Sequence, residues 1–318
     1  MLEIFPCGLD KVLELVGSAT LLDSLRSTKS KGIVCMTGMV GDSHTVAIAW
    51  DLPTRPYSAG NTRFVIERQY DFPVTTIRTR RIATADLSEY EVLILPETWD
   101  TGYGPVLGEA GTQNLKDWVS NGGVLIALGN ANRYVADANI DLSSIRRENA
   151  VIENDDANGE GESGNEDEEE LAATVEGSYL SSDAEYETAI TPVTKDPDSV
   201  SGILVRAEVD TDHWLAAGVA STLNVLVRGS DIYTPIRLDS GTNVARFSSA
   251  DKLLASGYIW EENRKQLAYK PFAVVQPVDR GFVISFTQDP NIRAYLDGLN
   301  VIFMNAIFRG AAHARPMH

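Results

Sequence analysis

Polar residues follow three apolar segments of this sequence, at positions where parallel strands would end. Asp51 ends the run TVAIAWD, Glu97 ends EVLILPE, and the small-residue turn GNAN at residues 129–132 ends GGVLIAL. Ligands of parallel α/β sheets bind beyond the carboxyl ends of the strands. Many α/β enzymes also place a nucleophile at such a tight turn. The turn is therefore either part of an active site or the outline of one without its reacting groups.

The elements around these residues alternate as they do in a parallel sheet covered by helices. Strands are predicted over TVAIAWD, VTTIRT, EVLILPE and GVLIALG, and helices over AGNTRFVIERQY and GEAGTQNLKDWVSNGG. This alternation indicates an α/β fold with a mostly parallel sheet and helices on both faces. Further strands are predicted from Gly202 onwards, and a closing amphipathic helix from Asn291 to Phe308. The simplest architecture is one domain over residues 42–310.

Composition sets limits on the class of protein. The chain has 318 residues, of which 43% are hydrophobic, enough for a sizeable core. No apolar run approaches the roughly 20 residues that span a bilayer, and the N-terminus lacks the features of a signal peptide. A cytoplasmic protein is therefore expected from the sequence as written. The net charge of −18 argues against nucleic acid or an anionic membrane as partner.

The negative charge is concentrated in one stretch. Fourteen acidic residues and no Lys or Arg lie between residues 153 and 187, in a segment that is rich in Gly and poor in large apolar side chains. Such a segment cannot offset its ordering entropy, so we predict a disordered acidic insertion over about 147–200. Part of it partly mimics a calcium-binding loop, but a solvated tether is the default interpretation. A disordered tail is predicted over 311–318.

The first 41 residues form a separate pattern. KVLELVG and GIVCMTGMVG are predicted strands, and TLLDSLRSTKS between them has helical apolar spacing. This βαβ unit cannot cover both faces of a sheet by itself, so it needs a larger sheet to dock on or will be poorly ordered. Cys7 and Cys35 are the two cysteines of the chain and do not make a disulfide framework.

Longer segments carry resemblances to known families. The strand, tight turn and helix after GGVLIALG, with the late strand GFVISFTQDP, resemble the class I glutamine amidotransferase-like, flavodoxin-like fold. More closely, WDLPTRPYSAGNTRFVIERQY, LKDWVSNGGVLIALG, LLASGYIWEENRKQLAYKP and DPNIRAYLDGLNVIF resemble a C-terminal module of bacterial zinc carboxypeptidases of the carboxypeptidase A type. This resemblance covers residues 42–310.

The N-terminal segment resembles a different family. GLDKVLELVGSATLLDSL followed by KGIVCMTGMVG is similar to part of the cofactor domain of quinone reductases in the zinc-type alcohol dehydrogenase superfamily. A bound pyrophosphate needs a glycine-rich turn at a helix N-terminus, and that fingerprint is absent here. We therefore expect no cofactor.

The amidotransferase resemblance implies a test for glutaminase chemistry. That chemistry needs a Cys at the turn after the strand, and a His and a carboxylate from the late strand. Gly129 stands at the position that resembles the nucleophile, and no Cys occurs from residue 42 to 318. Asp289 remains in the late strand, but no base accompanies it. We therefore predict no catalytic residues.

The zinc carboxypeptidase resemblance implies a test for metal ligands. A peptidase site of this type needs paired His and Glu ligands and a later His. The four histidines are His44, His213, His313 and His318, and none has a Glu three residues later. No metal site is therefore predicted in this chain.

The remaining polar residues predict a ligand site at the strand ends. Asp51 and Glu97 could instead cap helices or satisfy loop amides, and this alternative stays open. The candidate ligand-binding residues are Asp51, Arg55, Tyr57, Glu97, Asn130, Asn132 and Asp289.

The segment WEENRKQLAYKP, residues 260–271, is dense in charged and aromatic residues. It is either an exposed turn or an interface with a peptidase domain, since Trp, Tyr and Arg are common in interface cores. The candidate interface residues are Trp260, Glu261, Glu262, Arg264 and Tyr269.

Three functional hypotheses follow. The leading one is a non-catalytic amidotransferase-like module for binding or scaffolding, associated with a zinc carboxypeptidase whose catalytic domain is absent from this chain. The alternatives are an oxidoreductase-related fusion and a peptidase-associated protein acting in trans. The resembled peptidases are commonly exported, which leaves the localisation open.

Overall fold

The computed structural model describes residues 45–151, 182 and 195–314, together with two N-terminal strands. These strands, β1 (Leu9–Glu14) and β2 (Thr28–Met36), pair in parallel. Among the strands that are described, neither is hydrogen-bonded to the main sheet. The helix predicted at residues 20–30 is wrong for residues 28–30, which belong to β2, and its remainder lies outside the described residues. Most of the predicted acidic insertion also lies outside them.

The main sheet has ten strands in the described part of the chain. They are β3 (Val46–Trp50), β4 (Thr75–Arg78), β5 (Val92–Leu95), β6 (Val124–Leu128), β7 (Val200–Val209), β8 (Thr222–Gly229), β9 (Thr242–Phe247), β10 (Leu254–Ser256), β11 (Pro271–Val278) and β12 (Gly281–Phe286).

Helices connect and cover these strands. They are α1 (Pro56–Phe64), α2 (Gly104–Ser120), α3 (Asn132–Val135), α4 (Ala250–Leu253), α5 (Glu261–Leu267) and α6 (Asp297–His313). A π-helical segment, Val65–Gln69, continues α1, and α2 is interrupted at Gly108. No helix in the described part of the chain is both long and apolar enough to cross a bilayer.

One half of the main sheet is parallel, in the order β4–β3–β5–β6–β12. Every residue of β5 and β6 is buried, as expected of strands covered on both faces. Alternate residues of β3 face opposite sides: Ile48 packs in a core that includes Phe303 of α6, and Ala47 in one that includes Leu115 of α2. The predicted α/β fold with helices on both faces is confirmed.

The other half of the sheet is antiparallel, which the sequence analysis did not specify. β12 pairs with β11, β11 with β9, β9 with β7, and β7 with β8 and β10. Residues Asp279 and Arg280 alone separate β11 from β12, and so short a link allows only an antiparallel pair. Residues Ile203, Val205 and Ala207 of β7 are buried in alternation, as in a sheet with one covered face.

Several predicted boundaries are wrong. The closing helix α6 begins at Asp297, because a 3₁₀ turn at Ile292–Ala294 with Arg293 at φ +52° precedes it. It continues to His313, so the predicted tail cannot start at 311. The segment interpreted as an exposed turn at residues 260–271 contains α5.

The two ends of the predicted acidic insertion are also structured. The Ala150 amide donates to the Lys195 carbonyl at 2.6 Å. Arg147 forms ion pairs with Asp196 and Asp231, each at 2.8 Å. Residues 147–151 and 195–200 therefore belong to the folded domain, and the predicted insertion is shorter than 147–200. These contacts also bring the ends of the insertion together beside the main sheet.

Candidate functional site

A polar cleft of about 280 Å³ opens at the carboxyl ends of β5, β6 and β12. It lies where the strand-end rule places a ligand site. We call it the strand-end cleft. Its lining includes Arg55, Glu97, Gly129, Asn130, Arg133, Arg228, Asp231 and Gln288.

The turn after β6 is built around Gly129. This residue has φ +52°, a conformation that L side chains adopt only with strain. A Cβ atom at this position would lie 2.5 Å from the Oε1 atom of Glu97 and 2.7 Å from its Cγ atom. The Glu97 side chain thus fills the space where a nucleophile's side chain would begin.

Glu97 is held firmly at the floor of the cleft. It follows β5, and only 5% of its surface is exposed. Its carboxylate forms an ion pair with Arg228, and its amide donates to the Ser58 hydroxyl at 3.1 Å. The pKa of Glu97 is raised to about 7, because burial and the nearby Asp289 raise it more than Arg228 and Arg55 lower it. Glu97 can therefore exchange a proton near neutral pH.

Asp289 lies beneath Glu97 and has no access to solvent. The Ser58 hydroxyl donates to its Oδ2 atom at 2.6 Å, and the Asn291 amide donates to its Oδ1 atom at 2.8 Å. Burial raises the pKa of Asp289, while the hydrogen bond from Ser58 lowers it. Ser58 thus joins the Asp289 carboxylate to the backbone amide of Glu97. The two nearby carboxyl groups disfavour each other's charge.

Arg228 is a central residue of the cleft that the sequence analysis missed. Besides its ion pair with Glu97, its guanidinium lies 5.4 Å from the ring centre of Tyr57. Its amide donates to the Gln288 side chain at 3.1 Å. The alternation in NVLVRG predicts that Arg228 faces away from Val225 and Val227, but nothing local in the sequence indicates that β8 reaches the cleft.

Arg55 adds a second guanidinium to the cleft. Its Nη1 atom donates to the Tyr57 hydroxyl at 3.0 Å, and the group lies 5.2 Å from the ring centre of Trp99. Its amide donates to the Glu97 carbonyl at 2.7 Å. In the described part of the chain Arg55 forms no ion pair with a carboxylate. The Arg55 guanidinium therefore lies beside aromatic rings and a phenol, and the Glu97 carboxyl acts on it through charge without a direct ion pair.

Three candidate ligand residues have structural roles instead. Asp51 lies outside the cleft lining, and its carboxylate accepts from the Thr79 amide at 3.3 Å, as the loop-amide alternative describes. Asn130 lines the cleft, but its side chain is bonded to both the amide and the carbonyl of Thr98, at 2.8 and 2.9 Å. Asn132 is fully buried. Asp51 and Asn132 therefore do not line the cleft, and the Asn130 side chain, which does line it, is held by Thr98.

Asn132 joins the ends of two neighbouring strands. Its Nδ2 atom donates to the carbonyls of Gly129 at 2.9 Å and Phe286 at 2.7 Å. We expect Asn132→Ala to lower the free energy of unfolding by about 2 kcal/mol, because buried carbonyls lose their donor. Urea unfolding followed by circular dichroism measures this loss. The exposed Asn139→Ala is the matched control, and equal stability of the two variants would contradict the role of Asn132.

The candidate interface residues lie mostly on the surface. Trp260 and Tyr269 are each more than half exposed, and Glu261 and Glu262 are exposed in the first turn of α5. Arg264 is less exposed than these residues and donates to the Ala250 carbonyl at 2.5 Å.

An aromatic residue outside the predicted segment extends this surface. Tyr258 is 70% exposed and packs edge-on against Trp260, with ring centres 5.1 Å apart. We call Tyr258 and Trp260 the aromatic patch.

Comparison with known proteins was made by sequence and by structure. No family model and no curated protein matches the sequence. Among solved structures, a ThuA-like protein from Parabacteroides merdae ATCC 43184 matches with a TM-score of 0.51 and 10% identity, over 87% of this chain and 92% of that one. The chain has an amidotransferase-like, ThuA-like fold.

Other solved structures with this fold match at slightly lower TM-scores. A ThuA-like protein from Bacteroides uniformis ATCC 8492 has a TM-score of 0.49 and 12% identity, over 85% of this chain and 93% of that one. A glutamine amidotransferase from Thermotoga maritima has a TM-score of 0.48 and 10% identity, over 85% and 99%. At such identities the likeness concerns the fold, and function has to be argued from the residues of the cleft.

Proposed function

We propose that this chain is a non-catalytic amidotransferase-like module that binds other molecules and accompanies a zinc carboxypeptidase. One observation carries the non-catalytic part of the proposal. Glu97 fills the space into which a side chain at position 129 would project, and the turn has no nucleophile of its own. The resemblance of residues 42–310 to a module of zinc carboxypeptidases suggests the partner.

The end of β12 supports the same conclusion. The amidotransferase resemblance places the base and its acid partner within residues 287–290, where Asp289 is the remaining carboxylate and no residue is a base. The Thr287 hydroxyl donates to the Pro271 carbonyl at 2.8 Å, and the Gln288 side chain accepts from the Arg228 amide. Neither side chain can accept a proton from a nucleophile at neutral pH. The late strand therefore contributes packing and hydrogen bonds to the cleft.

A glutaminase assay tests the non-catalytic part. We expect purified chain to release no ammonia from glutamine above the buffer rate at any pH between 6 and 9. Turnover that is lost in a Glu97→Gln variant would overturn the proposal, because it would give Glu97 a catalytic role. Turnover that persists in that variant would point to contamination.

The aromatic patch is the surface proposed for the peptidase partner. Exposed Tyr and Trp are typical of interface cores. The oxidoreductase-related alternative depends on residues 1–41 alone and has no support from the strand-end cleft. Because the partner is supplied as a separate chain, the test below also covers action in trans.

The double variant Tyr258→Ala/Trp260→Ala is expected to weaken binding to a purified zinc carboxypeptidase of the resembled type by about 100-fold, since aromatic anchors carry most of an interface's energy. Isothermal titration calorimetry measures the dissociation constant. Leu238→Ala is the matched control, because Leu238 is 93% exposed but lies on a different loop. Failure of the unmodified chain to bind, or equal binding by both variants, would count against the patch.

A further inference from the structure

The strand-end cleft contains more guanidinium groups than a scaffold needs. Arg133 pairs with Asp231, and the neighbouring Arg147 pairs with both Asp231 and Asp196, at 2.8 Å each, so two carboxylates balance these two cations. Arg228 has Glu97 as its ion-pair partner, whereas Arg55 forms no ion pair within the described part of the chain and lies beside Tyr57 and Trp99. Arg55 and Arg228 are therefore the two cations of the cleft that can receive an anion.

The partner of Arg228 is itself an unstable anion. Glu97 is buried, and Ser58 connects its backbone amide to the Asp289 carboxylate. Asp289 is close enough to disfavour the charge of Glu97, so both carboxyl groups depend on the positive charge of Arg228. When Glu97 binds a proton, Arg228 keeps its full charge but loses its anionic partner. The guanidinium then presents its N–H donors to the cleft.

We infer that the strand-end cleft binds the carboxylate of a ligand, which Arg228 and Arg55 hold and which replaces Glu97 as the anion beside Arg228. The inference rests on the proposed function, since a catalytic site would use these groups differently. Guanidinium groups bind carboxylates through paired hydrogen bonds, which makes Arg the preferred residue for this task. The volume of about 280 Å³ suits a small acid or the terminal residue of a peptide.

Ligand binding is coupled to a proton. The ion pair between Glu97 and Arg228 breaks most readily when the Glu97 carboxyl group is protonated. An incoming carboxylate repels the ionised form of Glu97 and so favours its protonation. The charged groups that act on Glu97 are Asp289, Arg228 and Arg55. Asp100 and the pair of Arg133 with Asp231 line the outer cleft. Affinity should therefore rise as pH falls from 8 to 6, while the ligand's own carboxylate remains charged.

The probe is N-acetyl-dialanine, titrated into the full chain by calorimetry at pH 6 and pH 8. We expect saturable binding that is about tenfold tighter at pH 6, and at least about tenfold weaker binding of the same peptide with a terminal amide. The ligand's carboxylate could belong to a peptide C-terminus or to a free small acid, and comparing the affinity of N-acetyl-dialanine with that of acetate distinguishes the two. Tighter binding of the peptide indicates a peptide C-terminus, and equal binding indicates a free small acid. Equal binding of acid and amide would overturn the inference.

Variants identify the residues. Arg228→Gln should weaken binding of N-acetyl-dialanine at least about tenfold, whereas Arg246→Gln, which removes an exposed cation paired with Glu208 in the antiparallel half, should not change it. Glu97→Gln should bind with an affinity that no longer depends on pH. If Arg228→Gln does not fold, the other two variants provide the test. The inference would be overturned if Arg55→Gln bound N-acetyl-dialanine with unchanged affinity and if the affinity of Glu97→Gln still depended on pH.

This test and that of the proposed function fail separately. If the cleft shows no preference for a carboxylate, the expected absence of glutamine turnover and the expected binding to a zinc carboxypeptidase are unaffected. Glutamine turnover that depends on Glu97 would overturn the proposed function whether or not N-acetyl-dialanine binds.

Discussion

Replacing Gly129 by Ala is expected to lower the free energy of unfolding by about 2–4 kcal/mol. Two terms contribute: the left-handed backbone at φ +52° costs an L residue about 1 kcal/mol, and the new Cβ atom overlaps Glu97 at 2.5 Å, which costs about 1–3 kcal/mol or more in a packed site. Urea unfolding measures the sum. Gly129→Cys is expected to lose at least as much stability and to gain no glutaminase activity, because its thiol would have no base.

Gly102→Ala is the matched control. Gly102 has φ +63°, close to that of Gly129, but a Cβ atom there would meet nothing within 4 Å. It should therefore show only the backbone term, about 1 kcal/mol. The double variant Gly129→Ala/Glu97→Ala should lose less stability than the two single changes added together, because the overlap is gone. Equal losses for the two glycine variants would show that Glu97 moves aside at little cost.

Much of the fold could be predicted because it depends on local pattern. The apolar runs of β5 and β6 are short, continuous and bounded by glycine or polar residues, so periodicity and length identify them. Their parallel pairing follows from the helices between them. The antiparallel half was less predictable, since the order in which β7 to β11 pair depends on contacts distant in sequence. Only the two-residue link between β11 and β12 specifies a direction locally.

The candidate site was predictable to the extent that it depends on strand ends. Glu97 and Arg55 line the cleft, where that rule expects ligand-binding residues. Arg228 was missed because it comes from β8, whose position is set by pairing with β7 rather than by any motif. Asn132 follows a strand end in sequence but does not line the cleft, because its side chain points into the interior to join β6 and β12.

Asp289 shows how a residue can be identified correctly and interpreted incompletely. The sequence analysis treated it as the surviving acid of a lost triad. In the structure its carboxyl group is buried against Ser58 and acts on Glu97 through charge. A carboxyl group without solvent is costly to ionise, and a second one nearby increases the cost for both. The pair therefore makes folding stability depend on pH.

The stability of the chain should fall as pH rises from 5 to 8, and Glu97→Gln should remove most of that fall. The pKa of Glu97 is raised from its ordinary value of 4.5 to about 7, so the folded state binds the proton more tightly than the unfolded chain. The stability from this proton is fully present below about pH 4.5 and is lost as pH rises through about 7. The shift corresponds to about 3 kcal/mol. Urea unfolding at pH 5, 6, 7 and 8 measures it.

Two further variants separate the buried pair from general charge effects. Glu208→Gln removes a carboxylate at the surface, where it pairs with Arg246, and should leave the dependence of stability on pH nearly unchanged. Asp289→Asn should lower the pKa of Glu97, because it removes the nearby negative charge, and should move the loss of stability to lower pH. If Glu97→Gln and the unmodified chain lost stability in parallel, Glu97 would be ionised throughout and firmly held by Arg228. The cleft would then have no proton to exchange when an anion enters, and Arg228 would already be occupied.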